Sequence, residues 1–164
     1  MTLKIRQDDD QQQMDLKYMG LALKLAHESL AVGEVPVGAL IVDKVGKIIA
    51  KATNLREKTT SVLGHAELVA IHRASQKLKS WRLIDCTLYV SLEPCFMCAA
   101  ALVQSRISRV VFGAHDPKGG ALGSLQDLSN DSRFNHRFVV TSGIQSTESS
   151  ELLKKFFKLK RQKN

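Results

Sequence analysis

Thr87-Leu88-Tyr89-Val90-Ser91-Leu92-Glu93-Pro94-Cys95-Phe96-Met97-Cys98 is the stretch on which the fold turns. Its opening, Thr87 to Ser91, is rich in β-branched, aromatic and aliphatic residues and reads as a strand. Glu93-Pro94 ends it, because proline has no N–H to give to a sheet ladder. The small residues from Cys95 to Gln104 then read as a helix, and Arg109–Gly113, centred on Val110-Val111-Phe112, as the next strand.

Upstream, Leu16, Met19, Leu23, Ala26 and Leu30 follow the 3/4 spacing of one helix face, and Gly33 with Pro36 closes that helix. The apolar runs Val37–Val42 and Lys47–Ala52 flank Asp43-Lys44-Val45-Gly46, a hairpin signal. A polar stretch, Asn54–Gly64, leads to a second helix over His65–Leu78. Downstream come a glycine-rich segment, Lys118–Gly123, a last strand at Phe138–Thr141, and a helix over about Thr147–Arg161 with an apolar stripe. Strands alternating with helices after an opening hairpin imply a single layered α/β domain with a partly parallel sheet, over residues 14–164. Residues 1–13 are expected to form a flexible polar tail outside it.

With 164 residues, 44% hydrophobic and 24% charged, the chain suits one soluble domain with one core. No apolar run approaches the roughly 20 residues needed to span a bilayer, and Met1–Gln13 lacks the apolar centre of a secretory signal. Three cysteines are too few for a disulfide scaffold, so a reducing, cytoplasmic location is expected. The net charge of +8 is unevenly spread. Residues 152–164 carry Lys154, Lys155, Lys158, Lys160, Arg161 and Lys163 without an acid. Such a patch fits a polyanion, nucleic acid more readily than membrane, and equally fits a solvated tail that aids solubility.

Cys95 and Cys98, as i and i+3 on the first turn of a helix, share a face and can reach one ion. A helix N-terminus favours the thiolate, the form that binds metal. His65, at the start of another helix, completes a soft N/S set suited to zinc. No second cysteine or histidine pair offers a convincing fourth ligand, and three ligands leave a position for water, as in catalytic sites. Zinc lowers the pKa of such a water to about 7. Glu67 is the candidate proton carrier. Two residues after a helical histidine it would face away, so the pairing requires an irregular first residue. The competing reading of Cys95-x-x-Cys98 is a redox motif, which has no need of His65-Ala66-Glu67.

His65-Ala66-Glu67 with Pro94-Cys95-Phe96-Met97-Cys98 matches the H-x-E…P-C-x-x-C signature of zinc-dependent nucleoside deaminases. Glu34–Ala39, Leu88–Cys95, Ser105–Ala114, Asp116–Gly120, Gly123–Leu125, Asn135–Arg137 and Phe156-Phe157 further resemble the bacterial tRNA-specific adenosine deaminases, over roughly residues 15–162. The resemblance implies a three-layer α/β/α cytidine-deaminase-like fold around a mixed, mostly parallel sheet of about five strands. It implies one zinc ion per subunit on His65, Cys95 and Cys98, with Glu67 shuttling protons. The implied reaction is hydrolysis of adenosine to inosine at the first anticodon position of a tRNA, commonly an arginine tRNA. A homodimer with RNA contacts from both subunits is implied as well.

Asn54 stands at the position of the family's base-contacting asparagine, and its amide offers the donor and acceptor that suit a purine edge; the reading this outweighs is a turn asparagine after a strand. Asp116, Lys118, Asn135 and His136 fall in segments that line the family's RNA channel, and each could be an ordinary loop residue. Phe156, Phe157, Lys158 and Arg161 are candidate RNA contacts of the last helix, and Val35 a candidate pocket wall. Cys86, His27, His72 and Trp81 read as packing or surface residues, and His115 has no assigned role. Two alternatives remain open: a deaminase of the same fold acting on a free base or nucleoside, and a zinc-containing RNA-binding protein without catalysis. The six terminal cations argue against the first and Glu67 against the second.

Overall fold

The computed structural model describes the backbone of residues 2–163 and the side chains of residues 8–162; Met1 and Asn164 lie outside the described residues. The order is α1 (Thr2–Ala31), β1 (Gly38–Val42), β2 (Ile48–Thr53), α2 (Arg56–Thr59), α3 (Ala66–Leu78), β3 (Thr87–Leu92), α4 (Phe96–Gln104), β4 (Arg109–Ala114), β5 (Val139–Thr141) and α5 (Ser146–Lys163). The five strands form one sheet in the order β2-β1-β3-β4-β5. β1 runs antiparallel to β2 and to β3, whereas β3, β4 and β5 run parallel.

Alternation along the strands builds two cores. Ala39, Ile41, Leu88, Val90, Val110 and Phe112 pack on one face with Ala66, Ala70 and Ala74 of α3 and Ala99, Leu102 and Val103 of α4. Leu40, Val42, Tyr89 and Val111 point the other way, against Tyr18, Met19 and Ala22 of α1 and Leu152 of α5. Helices thus cover both faces, giving three layers. Because both faces are covered, β1, β3 and β4 carry near-continuous apolar runs rather than a polar alternation. α1 lies very close to β1: a Cβ on Gly38 would sit 2.1 Å from the Ala22 carbonyl oxygen. Only glycine fits there, which makes the start of β1 a fixed point of the site described below.

Two elements differ from the sequence expectation. α1 continues upstream of Asp15 through residues 8–14, where the side chains from Asp8 to Met14 are exposed. No glycine or proline interrupts residues 2–19, and extending a helix already nucleated by packing costs little per residue. The polar stretch Asn54–Gly64 contains α2, a single turn whose residues are all exposed. Its amides are held by a carboxylate from far upstream, a tertiary cause invisible to local pattern. Among the described residues, no helix is long and apolar enough to cross a membrane.

Candidate active site

Two of the three ligand-type residues stand at corresponding places. His65 is the N-cap of α3 and Cys95 the N-cap of α4, both with extended backbone, at ψ 139° and ψ 173°. Cys98 lies one turn into α4 and is buried. The helix N-termini thus aim at one point beside the carboxyl end of β3. The extended His65 is the irregular first residue that the His-x-Glu spacing demands, and it lets His65 and Glu67 address the same pocket.

His65 Nδ1 lies 3.4 Å from Cys98 Sγ and 3.6 Å from Cys95 Sγ. The three donor atoms all fall within 4.8 Å of one another. A tetrahedral zinc with bonds of about 2.3 Å to sulfur and about 2.05 Å to nitrogen separates N from S by about 3.6 Å. The residues therefore fit the metal without rearrangement. They also share protons as a unit. A hydrogen bond from Cys98 draws the Cys95 thiol down to about 4, against the opposing effect of burial, and His65 adds to it. Cys98 is pushed up in return, and the hydrogen bond to Cys95 raises the His65 imidazole. Glu67 is 4% exposed. Burial raises its carboxyl to about 7.

A cleft of ≈ 950 Å³ opens above this group. Val35, Asn54, Asp116, Lys118, Phe157 and Arg161, all singled out from the sequence, line it together with His65, Glu67 and Cys95. The structure places the other candidates elsewhere. Asn135 accepts a hydrogen bond from Arg106 at 2.7 Å, and His136 Nε2 donates to the Ile107 carbonyl at 2.6 Å, so both tie their loop to the turn before β4. Phe156 is on the buried face of α5, edge-to-face with Phe157, and Lys158 is exposed outside the cleft lining.

Three residues of the site, Arg56, Glu34 and Glu93, were not singled out from the sequence, and Lys154 only as one of six terminal cations. Arg56 and Lys154 line the cleft, so with Lys118 and Arg161 its rim carries four cations from three different segments. Glu34, 1% exposed, accepts hydrogen bonds from the Lys58 amide (2.7 Å), the Glu57 amide (3.2 Å) and Asn54 Nδ2 (3.4 Å). It starts α2 and turns the Asn54 amide, whose buried Oδ1 has no partner within the protein. A buried acceptor left open in a pocket wall is a binding feature. Glu93, also 1% exposed, binds the loop after β4. Burial pushes its carboxyl up, but hydrogen bonds from Ser124 and the loop amides outweigh that and hold it below its ordinary value. In sequence both glutamates stood inside the family-like blocks Glu34–Ala39 and Leu88–Cys95, each an acid with few polar neighbours, in Gly33-Glu34-Val35 and Leu92-Glu93-Pro94.

A three-layer domain that sets a buried glutamate beside a His-Cys-Cys group at two helix N-termini defines a deaminase of the cytidine-deaminase-like fold. The chain matches the family model described as MafB19-like deaminase over residues 13–161. It is 48% identical over 149 residues to a tRNA-specific adenosine deaminase of Bacillus subtilis (strain 168), covering 91% of this chain and 92% of the relative. To the enzyme of that name from Haemophilus influenzae it is 43% identical over 150 residues, covering 92% and 87%. A solved structure from a study of A-to-I editing by tRNA:A34 deaminases superimposes with a TM-score of 0.80 at 41% identity, covering 84% of this chain and 99% of that one. The guanine deaminase of Nitrosomonas europaea superimposes with a TM-score of 0.70 at 26% identity, covering 84% and 81%. The chain belongs to the tRNA-specific adenosine deaminase family.

Proposed function

We propose that this enzyme hydrolyses adenosine to inosine at the wobble position of tRNA, an arginine tRNA being the expected substrate. It holds one zinc ion per subunit on His65, Cys95 and Cys98 and works as a cytoplasmic homodimer. The observation that carries this reading is the buried Glu67 beside the His-Cys-Cys group, at the foot of a cleft rimmed by four cations. Zinc bound there supplies a Lewis acid that brings a water's pKa toward neutrality.

The chain's own residues do the rest. Glu67, as carboxylate, takes a proton from the attacking water and passes it to a ring nitrogen of adenine. As carboxylate again, it takes the remaining hydroxyl proton of the added water at C6 and delivers it to the amino group as the C6–N bond breaks, so adenosine and water give inosine and ammonia. Asn54 meets a polar edge of the nucleoside, while Val35 and Phe157 supply apolar wall. The anticodon loop presents a base that is already unstacked, which lowers the cost of bringing it into a closed pocket. The rim cations hold the flanking phosphates.

The second reading, deamination of a free base, is favoured by the likeness to the guanine deaminase. A free base, however, gives Arg56, Lys118, Lys154 and Arg161 nothing to neutralise. The test is to incubate zinc-loaded protein with an arginine tRNA and to sequence its reverse transcript, in which inosine reads as guanosine at its position. Inosine from the wobble position is expected; deamination of free guanine with no reaction on tRNA would establish the second reading. Glu67→Gln, assayed alongside, should lower turnover by at least about 100-fold while the metal content is kept. A retained rate would remove Glu67 from the proton path.

A further inference from the structure

Glu93 immediately precedes Pro94-Cys95, yet its side chain leaves that turn and enters the loop that follows β4. There, donors converge on its two oxygens. Oε2 accepts the Asp116 amide at 3.0 Å and the Ser124 hydroxyl; Oε1 accepts the Leu122 and Ser124 amides, each at 3.0 Å. His115 Nδ1 lies 3.4 Å from Oε2. The loop is shaped to admit the carboxylate, since a Cβ on Gly120 would come within 2.3–2.5 Å of its Cδ and both oxygens. Two further links run from the ligand turn to the same loop: Cys95 bridges Gly120, and the Ala121 amide donates to the Pro94 carbonyl at 2.9 Å. This loop carries His115, Asp116, Pro117 and Lys118 into the cleft wall.

We infer that Glu93 is a positioning residue: its carboxylate clamps the loop 115–124 against the metal-ligand turn and so holds the substrate-facing wall in its binding conformation. It touches no reacting atom. The inference deepens the function proposed above and rests on it for the identity of the substrate, but the clamp itself can be observed without turnover. An amide in place of the carboxylate cannot serve, because whichever way it turns its NH2 meets at least one backbone N–H. A methyl group at Gly120 attacks the same contact from the opposite side and leaves the charge intact.

The test therefore uses Glu93→Gln and Gly120→Ala in the zinc-loaded, full-length protein, with three readouts: metal content, amide hydrogen exchange, and kinetics on an anticodon-arm RNA. Both variants should keep their metal and exchange the Asp116, Leu122 and Ser124 amides faster. Both should raise KM about tenfold or more, with kcat changed much less, because a displaced wall costs binding before it costs chemistry. Native exchange at those three amides in Glu93→Gln overturns the clamp. So does loss of metal and kcat with exchange in the loop unchanged, which would assign Glu93 to the ligand turn. A Gly120→Ala that behaves as the unsubstituted protein overturns it as well. Should the unsubstituted protein form no inosine at all, the proposed reaction fails, while the exchange readout still decides the clamp.

Discussion

The four cations around the cleft allow the salt dependence of RNA binding to be worked out in advance. Arg56, Lys118, Lys154 and Arg161 come from α2, the loop after β4, and α5. If each neutralises one phosphate, log K should fall with log salt at a slope of about −0.7 to −0.9 per contact, or roughly −2.8 to −3.6. Raising salt from 50 to 200 mM should then weaken anticodon-arm binding about 50- to 150-fold. Lys154→Ala with Arg161→Ala removes two contacts, and the same change of salt should then cost only about tenfold. Both side chains are exposed, so the substitutions spare Leu152 and Phe156, whose burial anchors α5. Lys155→Ala with Lys158→Ala removes the same charge from positions outside the cleft lining and should change the slope far less. Titrations of a fluorescent anticodon arm at several salt concentrations measure all three slopes. A Lys154/Arg161 variant with the slope unchanged, or a control pair with an equal effect, would refute the placement of RNA over this cleft.

Three further substitutions separate recognition from stability. Asn54→Ala should raise KM for the anticodon arm by about 5- to 100-fold through loss of a buried polar contact; Glu34→Gln should share part of that loss, and steady-state kinetics on both variants and the double variant would show it as non-additivity. Asp15 is 4% exposed at its side chain and accepts both Arg109 nitrogens, at 2.7 and 2.6 Å, and the Tyr89 hydroxyl at 2.8 Å. Burial pushes its carboxyl up, but the bonds from Arg109 and Tyr89 outweigh it and hold the folded-state pKa below the ordinary value. The stabilisation is therefore complete above about pH 4 and lost as pH falls through the folded-state pKa. Asp15→Asn should cost about 3 kcal/mol by urea unfolding at pH 7, a difference that narrows in acid; equal stability at neutral pH would contradict it.

What could be read from sequence follows how local its cause is. Strands β1, β3 and β4 are buried on both faces, so each announces itself as an apolar run. The Cys95–Cys98 pair was equally plain, because a three-residue spacing at a helix start is a local relation, whereas His65, 30 residues upstream, joined it only through ligand chemistry and the family signature. That His65 and Glu67 share a pocket could only be allowed, since it depends on one backbone angle at the N-cap. Glu34 and Glu93 were not legible, because the amides they hold lie 23 to 31 residues further along the chain. Arg56 was hidden within a stretch that looked like plain polar loop.

Charge and chemistry are carried by different parts of the molecule, and that separation constrains how variants combine. The rim cations stand on α2, on the loop after β4 and on α5, while Glu67 and the ligand residues stand at the starts of α3 and α4. Phosphate contacts fix affinity and register but carry little information about the base. Under the proposed function, selection of adenine then falls to the deep end, where Asn54 has a buried Oδ1 without a partner and Glu67 a buried carboxyl. The two ends meet at α2, which bears Arg56 and is tied by Glu34 to Asn54, and at the loop 115–124, which carries Lys118 on the rim and is tied by Glu93 to the turn that bears Cys95. Loss of a rim cation on α5 should accordingly add to loss of Glu67 without coupling, while loss of Glu93 should couple to Lys118. That asymmetry follows from the topology: α5 reaches the cleft from the opposite layer, whereas the loop and the ligand turn leave neighbouring parallel strands.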